Sequence, residues 1–194
     1  MPLVQGPTRS RQFFDWIAPR YKTINARLYR LEWRDLVRSA IEPGRVLDVG
    51  VGTGYTTSHL RNVVGIDLSR AMLASASGYH GDLVQADAGS PPFRPGSFAT
   101  IVCAGSFYYL ADPVRTLRSF HGLLSPSGAV VLISPEAWFL RPLVRVYTLR
   151  DYESMAQATD FRVELYESLR GLACLVKFRK WNPARNEDGS ARGA

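Results

Sequence analysis

Short apolar runs alternate with helix-like segments along most of this chain. Nearly continuous apolar runs of strand length are typical of strands buried on both faces of a parallel sheet. Five such runs are found, at residues 46–49, 63–67, 83–88, 98–103 and 129–133. Helical spacing or helix-start residues mark the intervening segments 70–77 and 113–124, and a last short helix is predicted over 151–158. The alternation predicts an α/β fold with parallel strands and helices on both faces of the sheet.

Both ends of the chain depart from this alternation. Two consecutive strand-like runs, 160–166 and 171–180, predict an antiparallel pair at the sheet edge, which gives seven strands in all. Upstream of the first strand, a helical cover is predicted over about 10–42, with a short helix that ends at Pro19. A single domain over residues 1–181 follows.

Three further segments carry expectations of their own. Residues 1–10 are expected to form an unstructured lead, and the polar residues 182–194 a disordered tail. Residues 134–148 interleave aromatic and aliphatic side chains with two arginines. This pattern is compatible with a helix that packs on the sheet, with an apolar pocket wall, or with a segment at a membrane interface.

Three alternate glycines, Gly50, Gly52 and Gly54, follow the first strand directly. A two-turn helix is predicted after them, over residues 55–62. Such a turn brings backbone N–H groups and a positive helix end close to a ligand, which can approach because glycine has no β-carbon. The alternative is a turn that serves only strand–helix packing. Tyr55 occupies the position where a dinucleotide-binding turn needs glycine, and no lysine closes the turn as in a phosphate-binding loop.

The pattern Asp48-x-Gly50-x-Gly52-x-Gly54, with a second strand that ends in Asp67, resembles the class I S-adenosylmethionine-dependent methyltransferases. This resemblance implies a Rossmann-like fold, S-adenosylmethionine as the cofactor and S-adenosylhomocysteine as its product. Asp67 lies 17 residues after Gly50, about the separation at which the acid of the next strand meets a ribose. Helix capping is the alternative role for Asp67.

The segment 14–21, with the pattern Phe-Asp-x-Ile-Ala-x-x-Tyr, more narrowly resembles the ubiquinone/menaquinone-biosynthesis C-methyltransferases and their type-11 relatives. On these resemblances Asp87 and Ala88 would recognise the adenine. For Tyr21 and Met72 packing is the alternative to cofactor contact. The expected cofactor-binding residues are Tyr21, Asp48, Gly50, Val51, Gly52, Thr53, Gly54, Asp67, Leu68, Met72, Asp87, Ala88, Ala104 and Gly105.

The loop after the fourth strand should face the transferred methyl group, because ligands of open α/β sheets gather at carboxyl strand ends. Tyr108 and Tyr109 are the candidates for orienting the acceptor. Relatives of this kind often have two histidines there, so the tyrosine pair speaks against proton abstraction by an imidazole. The histidines His59, His80 and His121 lie in or beside predicted helices, and surface or core roles are expected for them. No metal site is predicted.

We therefore expect an enzyme that methylates a small molecule, with an apolar metabolite such as a quinone precursor as the first candidate. A cofactor-binding partner subunit without transfer activity is the alternative. The net charge of +7 suits an anionic partner, but the fourth strand lacks the Asn/Asp-Pro-Pro-Tyr/Phe sequence of base-amine methylases, which disfavours nucleic acid. Cys103 and Cys174 lie in apolar runs, as expected for buried thiols of a cytoplasmic protein. A peripheral membrane position and the oligomeric state are left open.

Overall fold

The computed structural model describes residues 6–28 and 31–181, without the side chains of residues 22, 24–28, 31 and 32. Its strands are β1 (Val46–Val49), β2 (Val63–Asp67), β3 (Asp82–Gln85), β4 (Phe98–Ala104), β5 (Leu124–Pro135), β6 (Phe161–Leu169) and β7 (Ala173–Lys180). They form one seven-stranded sheet in the order β3-β2-β1-β4-β5-β7-β6. Strands β1 to β5 are parallel, whereas β7 runs antiparallel to both β5 and β6. The predicted mostly parallel sheet with an antiparallel pair at one edge is confirmed.

Helices cover both faces of this sheet, as predicted. They are α1 (Pro7–Leu28), α2 (Leu31–Ala40), α3 (Arg70–Ser75), α4 (Pro113–Leu123) and α5 (Leu149–Gln157). One face is buried by α4 and α5, whose Phe120 and Tyr152 are fully buried in the larger core cluster. On the opposite face Val37 and Ala40 of α2 pack against β1, β2, β4, β5 and β7. No helix among the described residues combines the length and apolar composition needed to cross a bilayer.

Helix α1 corrects two expectations about the N-terminus. It begins at Pro7, inside the expected unstructured lead, and continues through Pro19 to Leu28. Pro19 is exposed, so the carbonyl that loses its helical partner can bond to water, and the helix continues. Phe14 and Tyr21, on either side of Pro19, contact each other with ring centroids 6.0 Å apart. This contact within α1 spans the proline, so the two halves of the helix present one aromatic face.

The connection from β1 to β2 corrects a third expectation. Residues 55–62 contain turns and bends but no helix. The connection is held by single backbone bonds such as Ser58 N to Gly54 O, at 3.0 Å, and Leu60 N to Thr57 O, at 2.9 Å. Without a helix, the glycine turn has no helix dipole to attract an anion, so the argument for a positive helix end was wrong.

Residues 134–148 also differ from the helix that was one of their expected forms. They contain one 3-10 turn, Trp138–Leu140, followed by further turns. Trp138 is 76% exposed and Phe139 is 55% exposed, so the turn does not pack on the sheet. The predicted tail, residues 182–194, lies outside the described residues.

Candidate active site

A cavity of about 340 Å³ lies at the carboxyl ends of β1, β2, β3 and β4. This is the edge at which open α/β sheets bind ligands, and the volume falls within the range of small-molecule sites. The glycine turn after β1 forms its floor, and α1 crosses over it. The acids at the ends of β2 and β3 contribute to its wall.

Two of the turn glycines have different relations to the cavity. Gly50 has a φ of +70°, and a β-carbon built on it would lie 2.4 Å from the β-carbon of Ser106. Gly50 therefore allows the loop after β4 to pack against the turn, where the Ser106 hydroxyl donates to the carbonyl of Val49. Gly52 has a φ of +54° and no atom within 3.8 Å of its built β-carbon. The nearest side-chain atom is Cε1 of Tyr21, at 3.8 Å, so Gly52 and the Tyr21 ring face each other across this part of the cavity.

Asp48 supports this turn from below and does not line the cavity. Its carboxylate is 3% exposed and accepts a hydrogen bond from the hydroxyl of Thr57. Thr57 is in turn 3.1 Å from the hydroxyl of Tyr79, whose ring packs beside Gly54. Burial raises the pKa of Asp48 to about 7, since a charged carboxylate loses its hydration there.

Asp67 ends β2 and lines the cavity. Its two carboxylate oxygens accept hydrogen bonds from the backbone N–H groups of Gly52, at 2.9 Å, and Ser69, at 2.8 Å. Burial raises the pKa of Asp67, while the backbone donors of Ser69 and Gly52 oppose the shift. Each oxygen has a second lone pair, so the carboxylate can hold the turn and still accept hydroxyl donors from a ligand.

The opposite end of the cavity is formed by Leu68 and Met72 after β2 and by residues 86–90 after β3. The Asp87 carboxylate accepts from the backbone N–H of Gly89 at 2.8 Å. Ser69 caps α3 by accepting from the N–H of Met72 at 3.1 Å. A carboxylate beside apolar side chains suits a flat heterocycle with an amino group.

An aromatic cluster on α1 and the loop after β4 roofs the cavity. The Phe14 ring contacts Tyr21, at 6.0 Å between centroids, and Tyr109, at 5.2 Å, both edge to face. The Ser69 hydroxyl donates to Asp15 of α1 at 2.6 Å, which fixes the helix over the site. Neither Phe14 nor this bond was predicted. Pro19 predicted the end of a short helix, whereas Phe14 and Tyr21 lie on one face of a helix that continues through Pro19.

The roof supplies neutral hydroxyl groups. Burial, with Tyr109 and Asp67 nearby, raises the pKa of Tyr21 to about 12. Burial also raises the pKa of Tyr109, whose ring lies 4.4 Å from that of Tyr108. Both phenols are therefore protonated at neutral pH and can donate hydrogen bonds, but they cannot act as bases.

The histidines lie elsewhere. His59 accepts from the guanidinium of Arg34 at 3.1 Å, and His121 packs against the Phe161 ring. Neither they nor the exposed His80 lines the cavity. The described residues also contain no group of three or more His, Cys, Asp or Glu placed to hold a metal ion.

Most of the predicted site residues come together around the cavity, although their roles stay predictions. The lining ones are Tyr21, Gly50, Val51, Gly52, Thr53, Asp67, Leu68, Met72, Asp87, Ala88, Ala104, Gly105 and Tyr109. Asp48, Gly54 and Tyr108 are not part of the lining. Phe14, Ser69 and Leu110 line it without having been predicted. Helical spacing alone could have found Phe14, which is two turns before Tyr21.

Three features define the class: the sheet order with its single antiparallel strand β7, the glycine turn that lines the cavity, and the acids after β2 and β3. They are the features of a Rossmann-like methyltransferase that uses S-adenosylmethionine. They do not fit a pyrophosphate cofactor, since the turn has neither a helix N-terminus nor a lysine.

Comparison with known proteins supports this class. Residues 47–132 match the methyltransferase domain family of type 11. A demethylmenaquinone methyltransferase of Thermus thermophilus is 34% identical over 62% of this chain and 63% of its own length. A ubiquinone/menaquinone biosynthesis C-methyltransferase UbiE of Geotalea uraniireducens is 26% identical over 76% of this chain and 73% of its own.

A solved methyltransferase of Thermotoga maritima superposes with a TM-score of 0.77, covering 88% of this chain and 99% of its own, at 17% identity. At that identity the likeness concerns the fold. In sequence the chain is similar to S-adenosylmethionine-dependent methyltransferases of the type-11, UbiE-like kind. This similarity implies S-adenosylmethionine as the methyl donor.

Proposed function

We propose that this protein transfers a methyl group from S-adenosylmethionine to a small, apolar metabolite of the quinone-precursor class. The observation that carries the proposal is that Asp67 and Asp87 line the same cavity as the aromatic residues Phe14, Tyr21 and Tyr109. The similar proteins named for quinone biosynthesis support an apolar aromatic acceptor. The family match covers the cofactor half of the chain, so the acceptor is inferred from the cavity and these relatives.

The cavity residues fit the cofactor by their chemistry. The Asp67 carboxylate would accept from the ribose hydroxyls through its remaining lone pairs, and Asp87 with the N–H of Ala88 would recognise the adenine. The amino-acid portion would lie beside Gly52, which has no β-carbon to hinder its approach to the backbone. Tyr21 would cover it from above.

Bound S-adenosylmethionine supplies a methyl group already activated by a positive sulfur. The protein then has to align the acceptor and exclude water. Phe14, Tyr21 and Tyr109 form an aromatic cover suited to this, and the contact of Phe14 with Tyr109 holds α1 over the site. The neutral Tyr109 hydroxyl would donate to an oxygen of the acceptor and so orient it, and it would not remove a proton.

A methyl-transfer assay tests the proposal. The protein is incubated with S-adenosylmethionine and a panel of reduced demethylated quinones, and products are analysed by mass spectrometry. We expect a product in which a methyl group has replaced one hydrogen, so that it is heavier by one CH2, together with an equal amount of S-adenosylhomocysteine and of released protons. Binding of S-adenosylmethionine without transfer to any acceptor would instead support the alternative of a cofactor-binding subunit. Transfer only to polar amines or to RNA would contradict the proposed acceptor class.

A further inference from the structure

The turn after β5 exposes large apolar side chains that the proposed reaction does not use. Trp138 is 76% exposed, Phe139 55% and Leu143 52%. These three residues, which we call the apolar tip, belong to one continuous stretch of turns. Exposed single hydrophobic residues are ordinary, but three large ones grouped on one turn mark a contact surface.

The apolar tip is held in an ordered conformation. Leu140 N donates to Ala137 O at 3.0 Å, and Leu143 N donates to Leu140 O at 2.9 Å. Ala137, at the base of the turn, is buried. The Trp138 and Phe139 rings contact each other with centroids 6.4 Å apart. Since these residues are already ordered, little conformational entropy is lost when the tip contacts another surface.

The charges around the tip specify what kind of surface that is. Residues 137–147 contain Arg141 and Arg145 and no acid. The preceding acid, Glu136, already accepts from the hydroxyls of Tyr166, at 2.7 Å, and Ser168. The chain as a whole carries a net charge of +7. An aromatic turn flanked by arginines is the composition that binds at the interface of an anionic bilayer.

The tip is also connected to the cavity wall. The guanidinium of Arg145 donates to the carbonyls of Leu110, at 3.2 Å, and Ala111, at 3.3 Å. Both residues line the cavity. A surface bound by the tip would therefore lie next to the cavity wall formed by Leu110 and Ala111, at the carboxyl ends of the parallel strands.

We propose that Trp138, Phe139 and Leu143 insert into the interface of an anionic lipid bilayer and hold the cavity next to the membrane. We commit to a bilayer rather than a protein groove because the exposed apolar side chains are accompanied by arginines and by no acid. The value of this position for a lipid-dissolved acceptor rests on the proposed function. Membrane binding itself does not, and it is measured separately.

Co-sedimentation with vesicles tests the inference. One variant carries Trp138→Ser and Phe139→Ser, and the matched control carries Trp181→Ser. Trp181 is 38% exposed and follows β7. Because β7 is antiparallel to β5, Trp181 lies at the amino end of β5, whereas the tip follows the carboxyl end of β5. Vesicles of phosphatidylcholine alone are compared with equimolar phosphatidylglycerol and phosphatidylcholine. Thermal unfolding and S-adenosylmethionine binding check that each variant is folded.

We expect binding to the anionic vesicles that falls roughly tenfold or more in the double variant, because two large apolar side chains lose their interfacial transfer free energy. The control should bind like the unmodified protein, and phosphatidylcholine vesicles should bind more weakly. Absence of binding by the unmodified protein, or equal loss in the control, would overturn the inference. A dimer that the double variant converts to a monomer would assign the tip to self-association instead. Vesicle binding without methyl transfer would leave this inference standing and contradict only the proposed function.

Discussion

At the scale of single residues, Asp48 and Asp67 show how one sequence pattern combines two roles. The spacing from Gly50 predicts that Asp67 ends the second strand beside the turn, and it lines the cavity there. Asp48 belongs to the same pattern but is buried beneath the turn, bonded to Thr57. All four residues of β1 are buried, so no alternation of polar and apolar positions indicates which way Asp48 points.

The pKa of Asp48 makes a prediction about stability. The unfolded carboxyl releases its proton near pH 4, whereas the folded one keeps it to about pH 7 because of burial. Its contribution is therefore most favourable below pH 4 and is lost as the pH rises to about 7, with a slope of at most about 1.4 kcal/mol per pH unit. Asp48→Asn should remove this dependence, because an amide does not titrate in this pH range. The amide oxygen can still accept the hydrogen bond from Thr57, so the turn should keep its conformation.

Urea unfolding of both proteins between pH 4 and pH 8 measures the effect. The difference between the free energy of unfolding of Asp48→Asn and that of the unmodified protein should shift in favour of Asp48→Asn as the pH increases. Asp82→Asn is the matched control, because Asp82 is exposed on the edge strand β3. A constant difference between Asp48→Asn and the unmodified protein across this range would contradict the assigned proton.

At the scale of elements, α1 is the part of the site that the helix-breaking signal of Pro19 led us to predict wrongly. Proline is normally a helix terminator, yet Pro19 lies on the exposed side of a continuous helix. The aromatic contacts of Phe14 and the bond from Ser69 to Asp15 hold the two halves together over the cavity. Such contacts join residues far apart in the chain, so local propensity does not reveal them.

The roofing role of α1 predicts the effect of Phe14→Ala. The substitution removes the ring that connects Tyr21 to Tyr109, so the cover should open more readily and S-adenosylmethionine should bind roughly tenfold more weakly. Stopped-flow measurement should assign most of this loss to faster dissociation. Phe13→Ala provides the control, since Phe13 contacts Phe14 but does not line the cavity. Equal effects of both substitutions would mean that α1 acts through helix stability alone.

At the scale of the whole molecule, the fold was predictable because its strands are buried apolar runs separated by turn residues. The sheet brings Gly52, Asp67, Asp87 and Gly105 to one edge, as the positions of carboxyl strand ends require. The connection 55–62 and the turn at Trp138 could not be derived in this way. The connection contacts Tyr79 across a sequence separation of 22 residues, which no local pattern encodes.

The central claim is that S-adenosylmethionine binds over Gly52 with its ribose held by Asp67. Isothermal titration calorimetry of Asp67→Ala, with Asp82→Ala as the matched control, tests it most directly. We predict about a hundredfold weaker binding for Asp67→Ala, since two charge-assisted hydrogen bonds are lost, and unchanged binding for Asp82→Ala. Full affinity in Asp67→Ala, or no binding by the unmodified protein, would contradict the account.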